Sequence, residues 1–309
     1  MDDTRARARA GLLYGLAAYG SWGLVAFYFK AVAAVPPAEV LAHRIAWSVV
    51  FLVALLSVAR RWGEVGRCLR SGPALGRLSV AAFLLAVNWL TYIYSVSSNQ
   101  LLQASLGYFT TPLVNVLLGL AVLGERLRPL QWAAVGLAAA GVANLFLGAG
   151  EFPWIALTLA VSFGLYGLLR KQVAVDGVVG LTVETGLLLP PALGYLAFLS
   201  VTGAPSFGNG QRLDGLLVLS GLVTTVPLIC FGQAARRLRL ATLGFLQYLS
   251  PSLQLLLAVG VFGEPFRLVE LAGFVLIWSG LVFYVVDAVL VARQLDRALV
   301  RAAPSQARP

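Results

Sequence analysis

PLVNVLLGLAVLGERL, residues Pro112 to Leu127, lines up without a gap on PSLQLLLAVGVFGEPF, residues Pro251 to Phe266. The two stretches share the proline, two leucines, a valine, a glycine and the glutamate. The offset is 139 residues. Upstream, ASLGY from Ala104 matches ATLGF from Ala241 after a two-residue adjustment, and Ser21, Trp22 and Gly23 match Ser162, Phe163 and Gly164. Worked outward from this pair, the chain is one unit of apolar segments written twice.

The composition says what those segments are. Of 309 residues, 59% are hydrophobic and only 12% charged, against about 25% charged in soluble domains, and the mean hydropathy is +0.85. A water-soluble globular protein is excluded. One bilayer-crossing helix needs about 20 mostly apolar residues, and runs of that kind, separated by Gly, Pro or charge, occur ten times. They are Gly11 to Phe29, Ala38 to Ala59, Leu78 to Ser98, Ala104 to Leu123 and Leu130 to Ala149, then Pro153 to Leu169, Leu181 to Ser200, Gly215 to Ala235, Ala241 to Phe262 and Leu268 to Leu290. The first run is read as a retained helix and not a secretory signal: it is too long, it is flanked by aromatic residues, and it has a counterpart later in the chain.

Charge sets the orientation. With loops assigned to alternate sides, 19 basic residues fall on one side and only Lys30, Arg212 and Arg267 on the other, Arg44 being inside the second span. Basic loops stay cytoplasmic, so both termini are expected inside. The formal charge of +10 then orients the chain and meets lipid headgroups, and no nucleic-acid partner is expected. Residues 60–77, which carry Cys68, read as a basic loop. Cys68 and Cys230 fit no metal spacing, and neither a disulfide, a metal nor a cofactor is expected.

Five spans per half is an odd number, so consecutive halves cross the membrane in opposite directions. The expected architecture is an all-α polytopic membrane protein of ten transmembrane helices arranged as two inverted five-helix repeats. The first repeat spans 11–149 and the second 153–290, followed by a basic cytoplasmic tail, 291–309. Inverted repeats are the device by which secondary transporters alternate access to a midplane site. The competing reading is a channel or lipid-flipping scaffold of the same fold without coupled transport. A membrane enzyme is not expected, because there is one histidine, no metal-ligand set and no nucleophile elbow. No GxxxxGK[ST] loop is present for direct use of ATP, so energy comes from a proton or counter-substrate gradient.

Ionisable groups inside apolar spans are costly and mark function. Here they are His43, Arg44 and Glu184. Two readings of Arg44 stand: it holds an anionic group of a small-molecule substrate through its planar fork, or, about 9 Å from the outer boundary at ~1.5 Å per residue, its head snorkels outward. An offset of 140 sets Glu184 opposite Arg44, either as a coupling site for a cation or proton or as a cap on local loosening near the cytoplasmic face. The two are expected too far apart to pair. His43 either titrates in coupling or is a hydrogen-bonded structural residue. Asn88 and Tyr92, four apart on one helix face, with Trp89, Tyr108, Gln247 and Tyr248, either line a substrate pocket or tie helices together. Pro112 and Pro251, at matched positions, are read as paired mid-helix kinks, serving packing or hinge motion. Glu39, Glu125, Glu264, Glu270 and Asp287 stand near span ends and are read as solvated or capping.

Several strings resemble the RarD-type branch of the EamA group in the drug/metabolite transporter superfamily: LAHRIAWS (Leu41 to Ser48), NWL (Asn88 to Leu90), ASLGYFTTPLVN (Ala104 to Asn115), LGERL (Leu123 to Leu127), TTVPL (Thr224 to Leu228) and RLRLATLGFLQYLSP (Arg237 to Pro251). The likeness runs from Gly11 to about Asp287. It implies a ten-helix bacterial inner-membrane permease with a central cavity, in a group usually labelled for export of drugs or metabolites, chloramphenicol among them. Gln103 stands where that pattern often has a glutamate, and Thr110 and Thr111 replace a common Ile-Asn pair, so no coupling acid is assigned there.

Overall fold

The computed structural model describes residues 2–124, 127–148, 152–235, 237 and 246–302, and among them every regular element is helical. Lipid offers a peptide group no hydrogen bond, and the helix satisfies all of them internally. The elements are α1 (Asp2–Ala31), α2 (Pro37–Ala59), α3 (Trp62–Arg70), α4 (Gly72–Ser97), α5 (Leu101–Leu123), α6 (Pro129–Gly148), α7 (Trp154–Lys171), α8 (Gly177–Thr202), α9 (Gln211–Ala235), α10 (Leu249–Gly260) and α11 (Leu268–Ala302).

Each expected span coincides with a helix, with three corrections. By length and composition seven helices can cross a membrane, while Trp154–Arg170, Leu249–Gly260 and Leu268–Phe283 are shorter apolar stretches. Residues 241–245 of the ninth expected span lie outside the described residues. The segment read as a basic loop contains α3, an amphipathic helix that buries Val65 and Cys68. Its apolar face is only two side chains wide, too narrow to register as an apolar run. Finally, α11 continues to Ala302, so the expected tail begins as helix.

Helix ends follow local chemistry. Pro37 opens α2, where its missing N–H needs no partner. The Asp176 carboxylate caps α8 by accepting from the Val178 N–H at 3.0 Å. Gly124 and Gly263, matched in the repeated stretch, both take positive φ, 64° and 67°, the conformation glycine adopts without strain. Glu264 then accepts from the N–H groups of Leu101 and Leu102 at 2.8 and 2.7 Å, closing the start of α5. Glu39 is wholly buried and not solvated, accepting from the Ser206 N–H and hydroxyl. Glu270 receives the Arg267 N–H; Glu125 lies outside the described residues.

The chain forms two compact units, residues 1–119 with 153–265, and residues 120–152 with 266–309. This division cuts across the expected halves, because helices of one half pack on helices of the other. In the first unit α1 packs on α9 and α10, α2 on α8 and α9, and α4 on α7 and α8. Its core includes Phe29, Val40, Tyr92, Leu101, Leu159, Leu217 and Leu257. Contacts at glycines come in matched pairs. A Cβ on Gly23 of α1 would lie 2.6 Å from Leu253 of α10, and one on Gly164 of α7 would lie 2.6 Å from Val114 of α5.

The second unit is α6 crossing α11. Gly141 meets Gly273 and Ile277, while Gly280 meets Ala134 and Ala138, every partner displaced by the same 139 residues. Small residues let two backbones approach where packing and not hydrophobicity drives association. Arg128 forks onto the Asp287 carboxylate here. Many large apolar side chains face outward, Leu13, Phe83, Val201 and Leu256 among them, as a lipid-facing surface requires.

Candidate functional site

Arg44 is buried within the first unit, 8% exposed. The outward-snorkelling reading is therefore overturned: the guanidinium is held inside by neighbours on three other helices. Its Nε donates to Thr224 Oγ1 of α9 at 2.7 Å, its carbon lies 4.1 Å from the Trp89 ring centre of α4, and Phe29 of α1 stands at 5.5 Å. Stacking on a ring face offsets part of the lost hydration of a cation. Among the described residues no carboxylate pairs with Arg44, and its two Nη groups donate no hydrogen bond. Their donor capacity is unspent.

Several of the other residues read as pocket or helix-tying positions come together. Tyr92 lies edge-on to Phe29, 5.7 Å between centres, and 5.8 Å from Tyr108. The Tyr92 hydroxyl is buried without a partner. Asn88 donates to the Leu159 carbonyl at 3.1 Å and to Ser162 Oγ at 3.0 Å, tying α4 to α7, and its Oδ1 accepts from Tyr108 at 3.4 Å. It fulfils the helix-tying role while facing the aromatic group. Tyr248 stacks on Phe109, 6.2 Å away, and Gln247 is half-buried with no hydrogen bond among the described residues.

His43 turns away from Arg44, as successive helical side chains do. Its ring stacks on Phe207 of the α8–α9 connection at 5.0 Å, and Nε2 is buried without a partner. Pro112 lies inside α5. Pro251 is the third residue of α10, behind helical residues 246–247 and the right-handed helical backbone of Tyr248 (φ −72°, ψ −12°). Pro190, Pro191 and Pro227 are further prolines inside helices.

Glu184 is wholly buried on α8. Tyr166 of α7 donates to its Oε2 at 3.2 Å, and Arg170 Nη1 stands 3.5 Å from its Oε1. Among the described residues its ion pair is with Arg170 and not with Arg44. The sequence reading had missed Arg170, counted among basic loop residues, and Tyr166, which no motif marks. Thr224 lay in a quoted string, but nothing local tied it to Arg44. None of the chosen residues lines the groove of about 520 Å³ between α3, the start of α4 and the α7–α8 connection, where Arg67, Arg77 and Asp176 stand.

Apolar helices packed through glycine around a buried arginine define a multi-pass membrane protein. The EamA-like transporter family matches over residues 9–147 and 153–286, and the chain belongs to that family. It is of the RarD type. A protein called RarD from Salmonella typhi is 46% identical, covering 93% of this chain and 98% of its own length. An uncharacterized transporter of Vibrio cholerae is 47% identical over 96% and 99%. A solved crystal structure, 24% identical, shares the fold with a TM-score of 0.60 over 93% of this chain and 99% of its own.

Proposed function

We propose that this protein is a secondary-active exporter of small metabolites or drugs, working by alternating access around a central site in which Arg44 anchors an anionic group of the substrate. The carrying observation is the buried guanidinium itself: ringed by Trp89 and Phe29, fixed at Nε by Thr224 and left with two free Nη donors. Leaving a charge in a low-dielectric interior without a counter-ion costs several kcal/mol, a cost that an arriving carboxylate or phosphate relieves through a bidentate contact. Asn88, Trp89, Tyr92 and Tyr108 supply the apolar and polar walls, and Glu184 the coupling group.

Ten spans in two inverted repeats, with both termini on the cytoplasmic side of a bacterial inner membrane, complete the reading. Its support is the matched contacts, Gly23 on Leu253 against Gly164 on Val114, and Gly141 on Ile277 against Gly280 on Ala138, together with two family-matched stretches that nearly coincide with the two halves. Two copies related in this way give a rocking pair around a fixed site.

Thermal stabilisation of the purified protein by a panel of amino acids, organic acids, nucleosides and amphenicol drugs tests this. A ligand at a hundredfold excess over its Kd stabilises by about 2.7 kcal/mol. Stabilisation by anionic compounds that both Arg44→Ala and Arg44→Lys abolish supports the anchor; stabilisation indifferent to both substitutions removes it. Nonsaturable flux of the stabilising compound in liposomes overturns the carrier reading in favour of a channel.

A further inference from the structure

Glu184 and Arg170 form a buried pair that is incompletely made. The carboxylate is 0% exposed, Nη1 stands 3.5 Å from Oε1, and both atoms are without a hydrogen bond. The guanidinium reaches this position because residue 180 is glycine: a Cβ there would lie 1.8 Å from Arg170 Nη1 and 2.5 Å from its Cζ. Gly180 and Glu184 are one turn apart on α8 and share a face, so the glycine is the notch through which the side chain enters. From the same seat Arg170 Nη2 reaches the Asp176 carbonyl at 3.5 Å, at the arginine-rich end where Arg61 pairs with Asp176 and Glu64. The guanidinium thus spans an intramembrane carboxylate and a polar edge.

We propose that Glu184 is a proton-binding site for which Arg170, admitted by the notch at Gly180, is a tethered competing cation. A proton from water at the arginine-rich end binds Oε1 and leaves a neutral carboxylic acid; Arg170, still charged, is released toward the Asp176 carbonyl. The site's protein partners are a phenol and a guanidinium, both donors, which suits one proton and not a metal cation needing several oxygen acceptors. The titratable groups that act on Glu184 are Arg170 and Tyr166 of α7, with Cys68 of α3 beyond them. This rests on the reading of Glu184 as the coupling group and adds the ion and its competitor.

Infrared titration of the full protein in lipid, following the carbonyl band of a protonated carboxylic acid, tests both parts. The wild type shows a band growing as pH falls that Glu184→Gln lacks. Arg170→Gln and Gly180→Ala bind the same proton at least tenfold more tightly, while Gly186→Ala, where an added Cβ meets nothing within 4 Å, matches the wild type. A band unchanged by Glu184→Gln overturns the coupling reading itself. A band lost in Glu184→Gln but indifferent to both Arg170→Gln and Gly180→Ala leaves that reading intact and overturns the competitor.

Discussion

Leu253 occupies the space that a side chain on Gly23 would need: an added Cβ would lie 2.6 Å from Leu253 Cδ1 and 2.7 Å from its Cβ. Val114 stands to Gly164 in the same way. The first helix of each half therefore closes on the helix of the other half that carries the repeated stretch. Overpacking such a contact costs about 1–3 kcal/mol, against a gain of about 1 kcal/mol from replacing a helical glycine. Gly23→Ala and Gly164→Ala should each lower the unfolding midpoint in detergent, whereas Gly20→Ala, with open space around it, should hold or raise it. Equal midpoints for all three would show that the close approach is unimportant.

Thr224 holds Arg44 by a single short hydrogen bond. Thr224→Val keeps the shape and removes the acceptor, leaving a buried N–H unpaired at a cost of roughly 1–3 kcal/mol. The expected outcome is a lower melting temperature and weaker binding of anionic ligands, with Thr224→Ser retaining both. Unaltered binding in Thr224→Val would mean that stacking on Trp89 alone fixes the guanidinium.

Glu264 caps the start of α5 from 162 and 163 residues away in sequence. Its truncation to alanine frees one buried and one part-buried N–H group, for an expected loss of about 0.5–2 kcal/mol. Hydrogen exchange at Leu101 and Leu102 reads this directly: both amides should lose protection in Glu264→Ala while amides in the middle of α5 keep theirs.

Arg128 and Asp287 join α6 to α11. The arginine side chain is 45% exposed and the aspartate 9%, so solvent screens the pair and its coupling should be about 1 kcal/mol. A double-mutant cycle with Arg128→Ala and Asp287→Ala measures it; a coupling of zero would make the contact incidental.

Burial pushes the Cys68 thiol of α3 above its ordinary range. The reactive form is the thiolate, so maleimide labelling of Cys68 in folded protein should be slow at pH 7 and keep rising tenfold per unit past the usual thiol value of about 8.5. Rapid labelling at neutral pH would show that α3 does not stay docked on α4 and α8.

Helix positions, the doubling of the chain and the distribution of basic residues were all legible in sequence, because apolar run length, a gap-free 139-residue offset and loop charge are local or additive properties. Arg44 and Glu184 were also found that way, since a charge in an apolar run stands out whatever surrounds it. Their partners were not. Thr224 lies 180 residues from Arg44, no motif marks Tyr166, and Arg170 reads as a loop cation until α7 is laid beside α8. Whether Arg44 snorkels or is enclosed turns on which helices cover it. The sequence by itself determined that this is a helical membrane protein built from a repeated unit, since hydropathy over about 20 residues decides partition into lipid. Only the tertiary structure decided that Arg44 meets Thr224 and Trp89 and that Glu184 meets Tyr166 and Arg170, since both depend on side chains that packing brings together from different helices.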